Sequence, residues 1–171
     1  MKNTAKLFAI ALVVLVSAAT TFAQSTATAT SSATIITPIL LTKTVDMNFG
    51  NVAVTASGGS VILTPAGTRT KTGGVTLPVV AGTVTAASFD VTGEGSSTYS
   101  ITLPSADLTI TRQTGTETMT VNAFTSTPSV TGTLSGGAQT INVGATLNVA
   151  AAQVAGLYVS LTPFEVTVNY N

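Results

Sequence analysis

Phe164-Glu165-Val166-Thr167-Val168-Asn169-Tyr170 alternates an apolar with a polar side chain at every step. In an extended strand successive side chains point to opposite faces. Phe164, Val166, Val168 and Tyr170 therefore share one face, and Glu165, Thr167 and Asn169 the other. The same period of two runs through Phe89-Asp90-Val91-Thr92 and Tyr99-Ser100-Ile101-Thr102-Leu103. It recurs from Thr140 to Val149, through Ile141, Val143 and, past Gly144, Leu147 and Val149. No segment keeps a helical period of 3.6 over three turns. The alternation predicts an all-β protein of antiparallel strands, each with one buried face.

Working outward, Ile35 to Val45 reads as an apolar, β-branched strand that Pro38 makes an edge or switching strand. Asp46 to Val52 reads as a short strand leading into a glycine turn. Ser57-Gly58-Gly59-Ser60 reads as a turn before a short buried strand, Val61 to Leu63. Thr64 to Gly74 reads as a loop or hairpin. Further strands are expected at Val75 to Leu77, Val84 to Ala87, Leu108 to Thr111 and Thr118 to Asn122. Thr125 to Ala138 reads as a long loop, and Ala150 to Gln153 is long enough for one helical turn at most. Pro163 marks a bulge or break in the last strand region, Leu157 to Asn171. Many short strands separated by roughly 8–12 residues predict an immunoglobulin-like antiparallel β-sandwich, with a closed barrel as its rival. One such domain is expected over residues 35–171.

Composition agrees with strands and argues against much catalysis. About one residue in five is threonine, which is β-branched and suits a pleated surface. Only 7% of residues are charged, and histidine, cysteine and tryptophan are absent. Ser-His-Asp and Cys-His nucleophile systems are thereby excluded, as are zinc and blue-copper sites built on those ligands. A Ser-Lys dyad would have to use Lys43 or Lys71, and both lie among threonines as solvated surface lysines do. The acids are scattered singly, so no pair stands out for glycoside cleavage. Asp90 and Glu94 flank Thr92-Gly93-Glu94-Gly95-Ser96, a polar hairpin tip with too few oxygens for calcium. Tyr99, Tyr158 and Tyr170 read as core tyrosines with hydroxyls at the sheet edge, or else as a sugar-stacking platform. The sequence implies no enzyme, no metal and no cofactor.

The first residues have the form of a secretory signal. Lys2 and Lys6 precede an apolar run of ten residues, Leu7 to Val16, and Thr21-Phe22-Ala23 offers a small-residue cleavage site. That run is shorter than the roughly 20 residues of a membrane span. Cleavage after Ala23 is expected, making residues 1–23 a signal peptide with no integral membrane segment following. Residues 24–34 then form a flexible Thr/Ala/Ser-rich extension. In the processed chain Lys43, Arg69, Lys71 and Arg112 stand against Asp46, Asp90, Glu94, Asp107, Glu117 and Glu165, a net charge of −2. No basic patch points to nucleic acid as a partner. Export to the cell surface, the extracellular space or the periplasm is expected.

Several stretches carry a family resemblance: Ala33 to Ile39, Met47-Asn48-Phe49-Gly50-Asn51-Val52, Phe89 to Glu94 with Tyr99 to Pro104, and Val143 to Leu147 through Phe164 to Asn171. Together they resemble a family of small secreted bacterial proteins classified only as a domain of unknown function. Asn48-Phe49-Gly50 after the first strand, and Gly156-Leu157-Tyr158 leading to a terminal alternating strand, are also similar to spore-coat-U-like pilins of archaic chaperone–usher pili. That second resemblance implies an incomplete sandwich whose groove is filled by a neighbour's N-terminal segment, a form of β-augmentation. The groove would be lined by Phe164, Val166, Val168 and Tyr170. Residues 26–33 offer only small side chains, so the donor anchors would be Ile35, Ile39 and Leu41. The expected function is a secreted structural or fimbria-like subunit. Its partners would be further copies of itself and a periplasmic chaperone and usher. The alternative is a monomeric extracellular binding module, for example for glycans.

Overall fold

The computed structural model describes residues 24–171, and the expected signal peptide lies outside them. The chain falls into two units that divide between Ile35 and Ile36. In the first, residues 24–35 form no regular structure and are exposed. The second, Ile36–Asn171, carries eleven strands among the described residues. In chain order they are β1 (Leu40–Val45), β2 (Ala53–Leu63), β3 (Arg69–Thr76), β4 (Ala87–Thr92), β5 (Thr98–Thr102), β6 (Leu108–Arg112), β7 (Thr118–Thr127), β8 (Thr131–Thr133), β9 (Ala138–Val149), β10 (Tyr158–Ser160) and β11 (Thr167–Tyr170).

All pairings are antiparallel, as the alternation predicts. One sheet runs β1-β4-β9-β7-β6-β10, with the β2–β3 hairpin joined to β9, and curls into a half-barrel. The other runs β11-β5-β8. The expected β-sandwich is thus the architecture of this unit.

Strand β9 organises it. Along one edge, Ala138–Val143 pair with β4 and Ala145–Val149 pair with β2. Gly144 is the residue between, and β7 runs along the opposite edge. A side chain at Gly144 would run into the Leu63 carbonyl and the Thr64 backbone, so only glycine lets β2 and β4 share this edge. The buried residues of β9 fall into two groups. Ile141 and Val143 pack with Ala87, Phe89, Val91, Tyr99, Ile101 and Leu134 between the two sheets. Ala145, Leu147 and Val149 pack with Phe49, Val61, Leu63, Val75 and Val121 inside the curl. Met47 and Phe124 touch both groups. Phe124 reaches them from a β-bulge in β7, where Ala123 takes φ 49° and two residues stand opposite Ala145.

Several expectations are corrected. Ser57-Gly58-Gly59-Ser60 is no turn but the irregular middle of the eleven-residue β2. Side chains at Gly59 and Gly74 would meet the backbones of Thr72 and Ser57, so these glycines mark close approach of two strands rather than a reversal. Of the loop or hairpin expected over 64–74, the hairpin is what forms: a tight turn, in which the Gly67 N–H bonds the Thr64 carbonyl, leads from β2 into β3. The expected strand at 46–52 is reduced to one bridge, Asn48 to Thr85, which is also all that forms of the strand expected before Ala87. The 125–138 loop contains the end of β7 and all of β8. Ala150 to Gln153 makes a turn with Ala152 at φ 51°, not a helical one. Pro163 does break the last region, separating β10 from β11.

Candidate functional site: the meeting of the first and last strands

Each sheet ends on a strand with one free edge, and two of these edges lie close together. Among the described residues β1 pairs only with β4, and β11 only with β5. The two approach each other without sharing a hydrogen-bonded ladder. Beneath them lies the core between the sheets. Ile39, just before β1, and Leu41 within it pack against it from one side, and from the other Phe164 and Val166, just before β11, with Val168 and Tyr170 within it. All six are half-buried.

The register explains the placement. Leu41 stands opposite Val91, Val168 opposite Ile101, and Tyr170 opposite Tyr99. Thr167 and Asn169 face outward and are exposed, so the alternation of the terminal stretch is realised as read. Phe164 meets the edge of Phe89 at 6.2 Å and lies tilted against Phe124 at 5.1 Å. The structure therefore brings the four groove residues together, and with them Ile39 and Leu41 of the same chain. Ile35, in the first unit, is 97% exposed.

A polar cluster closes one end of the meeting strands. The Tyr170 hydroxyl donates to the Thr37 carbonyl at 2.8 Å and accepts from the Glu94 N–H at 2.6 Å. The Glu94 carboxylate accepts from the Thr37 N–H at 3.1 Å. Three hydrogen bonds thus join the approach to β1, the β4–β5 turn and the last strand. The Thr37 N–H, followed by its hydroxyl, holds the Glu94 carboxyl below the usual glutamate range. Gly93 makes room, since any side chain there would strike the Tyr170 hydroxyl and ring. Sequence reading places Glu94 at a hairpin tip and attaches no role to Thr37. No spacing relates residues 37, 94 and 170, which the topology alone assembles.

The other edges differ in chemistry. β3 carries Arg69 and Lys71. In β1, Lys43 stands opposite Phe89, two residues on from the inward-facing Leu41, and pairs with Asp46 at 2.6 Å. A lysine on an edge strand is a recognised guard against stray pairing. β11 has neither lysine nor arginine. β8 and β10 are also uncharged but only three residues long.

The remaining candidates resolve into structural roles. Tyr99 is fully enclosed, with burial pushing its phenol pKa up. Its hydroxyl donates to Gln139 Oε1 at 2.6 Å, and side chain-free Gly132 leaves room for the ring. It offers no face to a sugar. The Tyr158 hydroxyl donates to the Val154 carbonyl and accepts from Gln153 Nε2. Asp90 accepts from the Thr140 hydroxyl. No group of three or more Asp, Glu, His or Cys side chains able to hold a metal occurs among the described residues.

A family profile described as "Domain of unknown function (DUF4402)" matches residues 39–170, and the chain belongs to that family. No curated protein matches it.

Proposed function

We propose that this family member is a structural surface subunit that assembles by strand addition. The N-terminal segment of one copy, residues 24–41, supplies Ile35, Ile39 and Leu41 to the edge of β11 in the next. Phe164, Val166, Val168 and Tyr170 of that next copy receive them.

One observation carries this reading. Ile39 and Leu41 already pack on the same apolar cluster as the four receiving residues, within a single chain. Exchange between copies would replace these contacts with identical ones, so little free energy separates closed monomer from polymer. Two features add support. β11 presents an uncharged free edge, and residues 24–36 form no regular structure and are exposed, Ile35 to 97%. The resemblance to spore-coat-U-like pilins points the same way, and with it come the secreted location and a periplasmic chaperone and usher as partners.

Ile35 allows assembly to be tested apart from folding. The cell-surface fraction is run on a denaturing gel with and without boiling. Wild-type protein is expected to give a ladder that collapses on boiling, since augmented strands separate slowly. Ile35→Asp should leave the thermal midpoint of the monomer unchanged and abolish the ladder. A ladder that persists in Ile35→Asp would remove Ile35 as an anchor. A single wild-type band in both lanes would favour the monomeric binding module, with glycans as the next ligands to try.

A further inference from the structure

Thr37 is the last residue before Pro38 and the strand that would be exchanged. Its N–H and its carbonyl are both engaged, by Glu94 and by Tyr170. The Tyr170 hydroxyl is used twice, as acceptor from the Glu94 N–H and as donor to Thr37. β1 itself is held by its ladder to β4, which is irregular between Lys43 and Val45, and by a hydrogen bond from the Thr44 hydroxyl to the Ser88 carbonyl. Its packed row is short: Ile39 and Leu41 are half-buried, and Lys43 beyond them is exposed. The strand is thus modestly packed and tied down at its entry by two hydrogen bonds on Thr37, whose partners Glu94 and Tyr170 are joined by a third.

We infer that Thr37, Glu94 and Tyr170 form a clasp that holds the first strand on its own domain and sets how readily it is handed to another copy. The inference rests on the strand-addition reading and adds its regulation. Glu94 takes no part in the apolar cluster that would receive a donor. Its carboxylate bonds the strand and not that cluster, so removing it leaves the cluster intact and, because an exchanged strand would meet the same clasp in the acceptor, changes the rate of exchange rather than its end point. Because Tyr170 bonds both other members, the residue that helps line the receiving cluster also senses whether its own strand is in place.

The test compares wild-type monomer with Glu94→Ala by hydrogen exchange and by the rate of ladder formation. Exchange is followed in the peptide covering residues 37–45 and, as an internal reference, in β9. Losing one charge-assisted hydrogen bond is expected to raise exchange in 37–45 by about tenfold and leave β9 unchanged. Ladder formation should accelerate by a similar factor. Tyr170→Phe, which keeps the ring packed over Gly93, should raise exchange in the same segment. Unchanged exchange in both variants, or an equal rise in β9, overturns the clasp. A local rise with an unchanged ladder rate overturns its control of assembly. A local rise with no ladder in wild type or variant overturns the strand-addition reading and leaves the clasp as a purely intramolecular tie.

Discussion

Glu94 shows how a residue gains a role that its sequence neighbourhood does not announce. Between Gly93 and Gly95 it has the surroundings of a solvated hairpin tip. In the fold its carboxylate faces the Thr37 N–H and hydroxyl, which favour the charged form and lower its pKa from the ordinary 4.5. A carboxyl whose folded pKa is depressed stabilises the fold above its unfolded value, and the contribution is lost as pH falls through the folded value. The clasp should therefore be intact at neutral pH and weaken only below 4.5. The Thr37 amide proton, followed by NMR from neutral to about pH 3, is expected to titrate with a midpoint under the ordinary value. The titration should vanish in Glu94→Gln. A midpoint at or above 4.5 would show that the carboxylate does not receive this hydrogen bond in solution. Tyr99 is the contrasting case. Its aromatic ring and the alternation around it already mark it as core, and the fold adds only the identity of its hydroxyl partner, Gln139.

At the scale of elements, alternation was the legible signal and glycine the misleading one. β4, β5, β9 and β11 were readable because each buries one face, so the period of two is written directly into side-chain chemistry. β2 and β3 were not. Their glycines look like punctuation, yet Gly58, Gly59, Gly73 and Gly74 sit where two backbones approach too closely for side chains. The need for them arises from a partner strand, and a local reading does not contain the partner. β8 was missed because Thr131-Gly132-Thr133 is too short and polar to differ from loop, its glycine being demanded by the Tyr99 ring across the sheet. Gly144 makes the point testable. It interrupts an otherwise regular apolar alternation, and the strand runs straight through it. Gly144→Val should destabilise the domain by at least about 2 kcal/mol, because the obstruction is the backbone of Leu63 and Thr64 and not a side chain that can turn aside. Urea unfolding measures it, and a midpoint close to wild type would mean that β2 and β4 do not share that edge of β9.

For the domain as a whole, the sandwich class followed from many short alternating strands, whereas the pairing order did not. Which edges remain free depends on long-range pairing, such as β1 with β4 and β11 with β5, that alternation does not encode. The groove residues were legible as one apolar face, and the anchors Ile39 and Leu41 as apolar positions. That all six meet on one cluster inside a single chain is a property of the topology. It gives a direct test of whether the first strand is separable. A variant lacking residues 24–45 loses Ile39 and Leu41, whose partial burial contributes about 3 kcal/mol together. Its thermal midpoint should fall by on the order of 10 °C. A synthetic peptide of residues 34–45, added during refolding, should restore the midpoint in proportion to the logarithm of its concentration, as any ligand of the folded state does. The same peptide with aspartate at positions 39 and 41 should not. Recovery would establish that the domain accepts its first strand from outside, which is the physical requirement for one copy to complete another. No recovery at peptide concentrations approaching saturation would mean that β1 forms only as part of its own chain, and assembly would then have to use the free edge of β11 with β1 left in place.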